Sequence, residues 1–114
     1  MTLRAFNWYM QRITGILLLA LLIMHFWVEH FITADLQRGN LTFNAIHARV
    51  ANPLWQVIDI SFLLVALYHG LNGLRNIVLD YSRVSVRAMQ AITAALMVLG
   101  VVWAWWGITA FRNL

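Results

Sequence analysis

The chain has 114 residues, 62% of them hydrophobic and only 11% charged, and its mean hydropathy is +0.74. A soluble domain of this size could not hide that much apolar surface, so composition excludes a water-soluble enzyme and points to one small all-α integral membrane domain. The net charge of +4 comes from arginine alone, with no basic run suited to nucleic acid, and the absence of cysteine excludes disulfides and cysteine-held metal clusters within these residues.

The first ten residues are amphipathic, and Trp8 and Tyr9 suit the headgroup level of a bilayer. They lack the small-residue cleavage site of a signal peptide, so the apolar run that follows is expected to be retained. The first predicted span covers residues 11–31. Within it Thr14, Leu18, His25 and Glu29 share one helix face to within about 40°. His30 follows at the far interface.

Residues 33–52 are the long polar connection. Phe43, Ile46 and Val50 repeat at helical spacing opposite Asn44 and His47, which predicts an interfacial helix over 41–51. Asn52 and Pro53 read as an N-cap and first-turn proline, opening a second span at 54–79. Asp59, one to two turns inside it, is expected to reach the interface rather than the core. The connection at 80–87 is short, so the third span, 87–111, must return antiparallel beside the second. Residues 91–110 hold no ionisable side chain, enough to cross a hydrocarbon core of about 30 Å. Gly100 and Gly107 permit close helix contact, and Trp103, Trp105 and Trp106 form an aromatic belt. Arg4, Arg12, Arg75, Arg83 and Arg87 lie toward one side of the three spans, and Arg38, Arg49 and Arg112 toward the other. The positive-inside rule then predicts a cytoplasmic amino terminus, and a bacterial cytoplasmic (inner) membrane is the expected location.

The second span carries a polar stripe. Relative to His69, Asn72 lies about 60° to one side, Gly73 about 40° to the other, and Asn76 and Asp80 within about 20°. A lipid-facing helix has no use for such a stripe. Ionisable side chains in hydrocarbon cost roughly 2.5–3.5 kcal/mol when charged, so an intramembrane histidine invites a functional reading. His69 lies about 16 Å from Asp80 along the helix, near mid-membrane. A neutral imidazole there can ligate haem iron, with Gly70 and Gly73 clearing space for a flat macrocycle. The plainer reading is a histidine hydrogen-bonded to a neighbouring helix, with glycines that serve packing; a transporter's proton relay is a third. Asp80 and Tyr81 offer an acceptor and a phenolic donor to a quinone carbonyl, or simply end a helix at the interface. Arg12 and Arg75 could pair with haem propionates or anchor helix ends.

His69 followed eleven residues later by Asp80 and Tyr81, on the second of three spans, resembles the hydrophobic membrane-anchor subunits of succinate dehydrogenase (complex II). The run Trp8, Tyr9, Met10, Gln11, Arg12, Ile13, Thr14, Gly15 is similar to the start of the first helix in those anchors. The resemblance implies a three-helix chain packed with a second three-helix anchor around haem b. It implies His69 as axial ligand, Arg12 beside the haem propionates, and Tyr81 with Asp80 at the quinone. It further implies two soluble partners, a flavoprotein and an iron–sulfur subunit, that deliver electrons from succinate in the respiratory chain. Two-haem anchors place histidines on both the first and second helices, which makes His25 a candidate ligand for a second haem; the alternative is an interior histidine hydrogen-bonded to Glu29. The chain itself holds no dinucleotide-binding pattern and no succinate site, so any enzyme activity belongs to the assembly. A quinol:fumarate reductase anchor and a haem-free structural anchor remain alternative functions.

Overall fold

The computed structural model describes residues 1–28 and 42–114, and among these the chain is all helix with no strand. Four helices follow one another: α1 (Leu3–Trp27), α2 (Phe43–Val50), α3 (Pro53–Tyr81) and α4 (Val86–Arg112). Each begins on a side chain that satisfies an orphan backbone N–H. Thr2 Oγ1 accepts from Ala5 N and Thr42 Oγ1 from Ala45 N, both at 3.2 Å. Asn52 Oδ1 accepts from Leu54 N at 3.0 Å, ahead of Pro53, and Ser85 Oγ accepts from Ala88 N at 3.2 Å.

The Thr2 cap explains why α1 starts at Leu3, ahead of the expected span start at residue 11. No glycine or proline interrupts residues 3–14, so the amphipathic segment and the apolar run form one continuous helix. The expected end of that span, at residues 29–31, and the contact of His25 with Glu29 lie outside the described residues, as does His30. At the other turn, Ser82 is extended (φ −120°, ψ 133°) and its N–H closes on Val78 O at 3.1 Å, ending α3. Ser85 restarts the chain three residues on, so α4 returns antiparallel to α3.

Among the described residues, α1, α3 and α4 are each long and apolar enough to cross a membrane. Twenty-five residues of α1 reach about 38 Å, which exceeds a hydrocarbon core of about 30 Å. The protein is an integral membrane protein. Helix α3 is the middle of the bundle, packed against α1 on one side and α4 on the other. The two glycines of α4 set the second approach: a Cβ at Gly100 would come within 2.9 Å of Leu71 Cδ1, and one at Gly107 would run into the Leu63 side chain. Two polar ties hold the same seam, Arg75 Nε to Thr93 Oγ1 at 2.8 Å and Gln56 Nε2 to the Phe111 carbonyl at 2.9 Å.

Burial is inverted relative to a water-soluble bundle. Among the described residues only Val28 is a buried apolar side chain, and the two other buried residues are polar, Thr14 and Asp59. Both lie between α1 and α3. The apolar residues cover the outside, as a hydrocarbon solvent allows.

Candidate functional site

The polar stripe of α3 faces α1. The antiparallel register sets Gln11 against Asn72 and Gly73, Thr14 and Gly15 against His69, and His25 against Asp59. Gln11 binds the stripe twice. Its Nε2 donates to the His69 carbonyl at 3.2 Å, and its Oε1 accepts from Asn72 Nδ2 at 2.7 Å. Gly73 makes this possible, because a Cβ there would stand 2.9 Å from Gln11 Nε2.

His69 is held at its ring as well as its backbone. Thr14 Oγ1 lies 2.6 Å from the Met10 carbonyl and 3.1 Å from His69 Nδ1. A hydroxyl has one proton, and a carbonyl can only accept it, so Thr14 donates back along its own helix and accepts from the imidazole. The network therefore assigns the proton to Nδ1 and leaves the lone pair on Nε2. Gly15 brings α1 close: a Cβ there would lie 3.2 Å from His69 Cε1. Gly73 seats Gln11, Gly70 has nothing within 4 Å of a built Cβ, and the glycine against the imidazole is Gly15, on the other helix. The helical spacing of Gln11 and Thr14, three apart on one face, was the available signal for their shared role.

A second cluster sits at the far end of the same seam. Asp59 is buried within the chain, because Arg49 of α2 folds over it with a two-pronged contact. Arg49 Nη1 donates to Oδ2 and Nη2 to Oδ1, both at 3.3 Å. Two parallel donors from a planar guanidinium can hold a carboxylate away from water. His25 Nδ1 lies 3.4 Å from Asp59 Oδ1, and its ring tilts over Phe62 with centroids 5.6 Å apart. His25 stands opposite Asp59, ten residues before His69 on α3, so the two histidines are separated by about 15 Å along the bundle.

The end of α3 is open. Tyr81 is 88% exposed and Asp80 is exposed at the rim of a 720 Å³ cleft lined also by Arg4, Arg75, Asn76 and Arg83. Asp80 and Tyr81 thus lie about 16 Å from His69 rather than beside it. Arg12 points its guanidinium at the Trp8 ring, 3.4 Å from the centroid, and donates to the Trp8 carbonyl at 3.4 Å. His47 stacks near Phe43 on α2, away from the seam.

Three apolar spans and a histidine seam narrow the choice of families, and comparison with known proteins decides it. A family model described as succinate dehydrogenase/fumarate reductase transmembrane subunit matches residues 2–108. The chain belongs to this family. Two similar relatives are both named succinate dehydrogenase hydrophobic membrane anchor subunit. One, from Thermoplasma acidophilum, is 35% identical over 96 residues, covering 84% of this chain and 75% of the relative. The other, from Archaeoglobus fulgidus, is 37% identical over 87 residues, covering 76% and 70%. The resemblance drawn from His69, Asp80 and Tyr81 is borne out at the level of the family. In this membrane anchor the seam between α1 and α3 falls wholly within the matched residues.

Proposed function

We propose that this anchor holds haem b through His69 and forms part of the quinone-reduction site of a succinate:quinone oxidoreductase. The observation that carries the reading is the Thr14–His69 contact. Its 3.1 Å hydrogen bond occupies Nδ1 and leaves the Nε2 lone pair, which is the arrangement a metal-ligating histidine adopts when its other ring N–H is taken by an acceptor. The residues present fit the group: a neutral imidazole whose orientation is set by Thr14 at the ring and by Gln11 at the backbone carbonyl. When bound, the haem supplies one-electron storage between the soluble subunits and the quinone.

The chain's own residues do the positioning. Thr14 fixes the tautomer of His69, Gln11 ties its helix to α1, and Gly15 lets α1 approach the ring. Asp80 and Tyr81 stand at the end of α3, where an exposed carboxylate and phenol can meet a quinone carbonyl and its proton. Arg12, held on Trp8, sits two residues from Thr14 and is the candidate partner of a propionate. His25 is the candidate ligand of a second haem; the Asp59 carboxylate beside its Nδ1 would orient it. The amino terminus faces the cytoplasm, in a bacterial inner membrane, by the excess of arginine on that side. A second anchor, an iron–sulfur subunit and a flavoprotein complete the assembly.

The test uses the intact complex. A reduced-minus-oxidised spectrum should show a b-type haem, and His69→Ala should abolish the haem that this chain holds. Unchanged haem per complex in that variant rejects the assignment. A pyridine haemochrome count of two per protomer would bring in His25, and a count of one would dismiss it. Tyr81→Phe should slow quinone reduction while succinate still reduces an artificial dye; unaltered quinone kinetics would remove Tyr81 from the site.

A further inference from the structure

The cleft at the end of α3 continues into a second cavity. The cleft has a volume of 720 Å³ and its neighbour 620 Å³, and Leu3, Asn7 and Arg75 line both. Their chemistry differs. The cleft brings Arg4, Arg75 and Arg83 around one carboxylate, Asp80, which leaves an excess of positive charge. The neighbouring groove is apolar, running between α3 and α4 past Leu71, Leu67, Leu64 and Ala104. From Arg75 back to Leu64 is eleven residues, or about 16 Å of hydrocarbon-lined wall.

We propose that this chain binds one anionic phospholipid, with its phosphate among Arg4, Arg75 and Arg83 and one acyl chain in the groove between α3 and α4. The two cavities make different demands, and only an anionic amphiphile meets both. Three guanidiniums against one carboxylate call for an anion, which the neutral ring of a quinone is not. The groove calls for a hydrocarbon chain, which a free phosphate or an acidic protein segment does not bring. Arg75 joins the two demands. Its Nε donates to Thr93 Oγ1 at 2.8 Å, and Thr93 in turn donates to the Met89 carbonyl at 2.9 Å. The guanidinium is thereby fixed at the junction, with its two Nη groups left to serve a phosphate oxygen pair. Arg75 lies six residues before the end of α3, about 9 Å inside it, where a headgroup gives way to acyl chains. Basic pockets between helices near the membrane surface are suited to anionic headgroups. This site goes beyond the haem and quinone reading and survives if that reading fails.

The intact complex, stripped of lipid in neutral detergent, is titrated with dioleoyl phosphatidylglycerol or dioleoyl phosphatidylcholine and read by native mass spectrometry. The expected result is a phosphatidylglycerol adduct that phosphatidylcholine does not replace. Arg4→Gln combined with Arg83→Gln should remove one such adduct, weakening it about tenfold or more, with the haem spectrum unchanged. Ala104→Phe fills the groove and should weaken the dioleoyl lipid but not a dibutyryl analogue. Equal retention of the two headgroups, or undiminished phosphatidylglycerol binding in the double arginine variant, overturns the proposal. So does loss of a protein subunit from the double variant without loss of lipid, because the cleft then belongs to a protein partner. If Ala104→Phe fails to assemble, the arginine variants alone decide the matter.

Discussion

The same two helices, α1 and α3, build two histidine sites about 15 Å apart, and the sites are opposite in kind. At Thr14–His69 every partner is neutral: a hydroxyl, two carboxamides and a backbone carbonyl. At Arg49–Asp59–His25 the partners are a guanidinium and a carboxylate, with side-chain exposures of only 10% and 8%. The difference follows from what each must do in a low-dielectric surrounding. A neutral imidazole needs only one partner for its ring N–H, so a hydroxyl that accepts one proton suffices, and the proposed ligand role would use the lone pair left on Nε2. A buried carboxylate needs full compensation, and only a two-pronged arginine contact supplies it. Helix α2 brings that arginine to the seam: Arg49 sits in its last turn and reaches both Asp59 and the Trp55 ring of α3.

The contrast can be broken most forcefully at the charged end. Asp59→Ala removes the carboxylate that Arg49 grips with two donors and should cost about 3–5 kcal/mol, read as earlier unfolding of the anchor in detergent. Replacing both residues, Arg49→Met with Asp59→Leu, should recover most of the loss. A single variant as stable as the parent would mean that the pair does not clamp α2 to the bundle.

At the neutral end the expected effect is smaller and more local. Thr14→Val removes the acceptor on Nδ1 and should lower haem retention by about 10–100-fold, with little change in unfolding, because a lost outer partner loosens a ligand rather than the fold. Retention equal to the parent would sever Thr14 from the ligand. Smallest of all is Gly15→Ala. The new Cβ would sit 3.2 Å from His69 Cε1, so the imidazole must yield by a few tenths of an ångström. Alanine also favours the helix by about 1 kcal/mol over glycine, and the net stability should barely move. The haem's midpoint potential or electron paramagnetic resonance signature should shift instead, and an unaltered signature would place the ligand elsewhere.

Particular residues show where reading the chain succeeded and where it stopped. His69 was legible because an ionisable side chain in an apolar run is conspicuous, and the three helices because twenty apolar residues have few other uses. The spacing of Asp80 and Tyr81 from His69 was legible too, and it led to the family. What Gly70 and Gly73 meet was not legible. Both flank His69 in the chain, yet one faces outward and the other seats Gln11, because adjacency along a helix differs from adjacency across helices. The burial of Asp59 was not legible for a related reason: its compensating charge comes from another helix, and no periodicity within α3 records it.

Composition and periodicity therefore settled the membrane class, the helices and the existence of a polar stripe, because these depend on each segment's own solvent. The register between α1 and α3 depends on which small and polar side chains interlock across the gap. Packing alone assigned the Nδ1 proton of His69 to Thr14, turned Gly15 toward the ring, and buried Asp59 under Arg49. Those contacts join residues 55, 54 and ten positions apart, and a chain read in order has no means of pairing them.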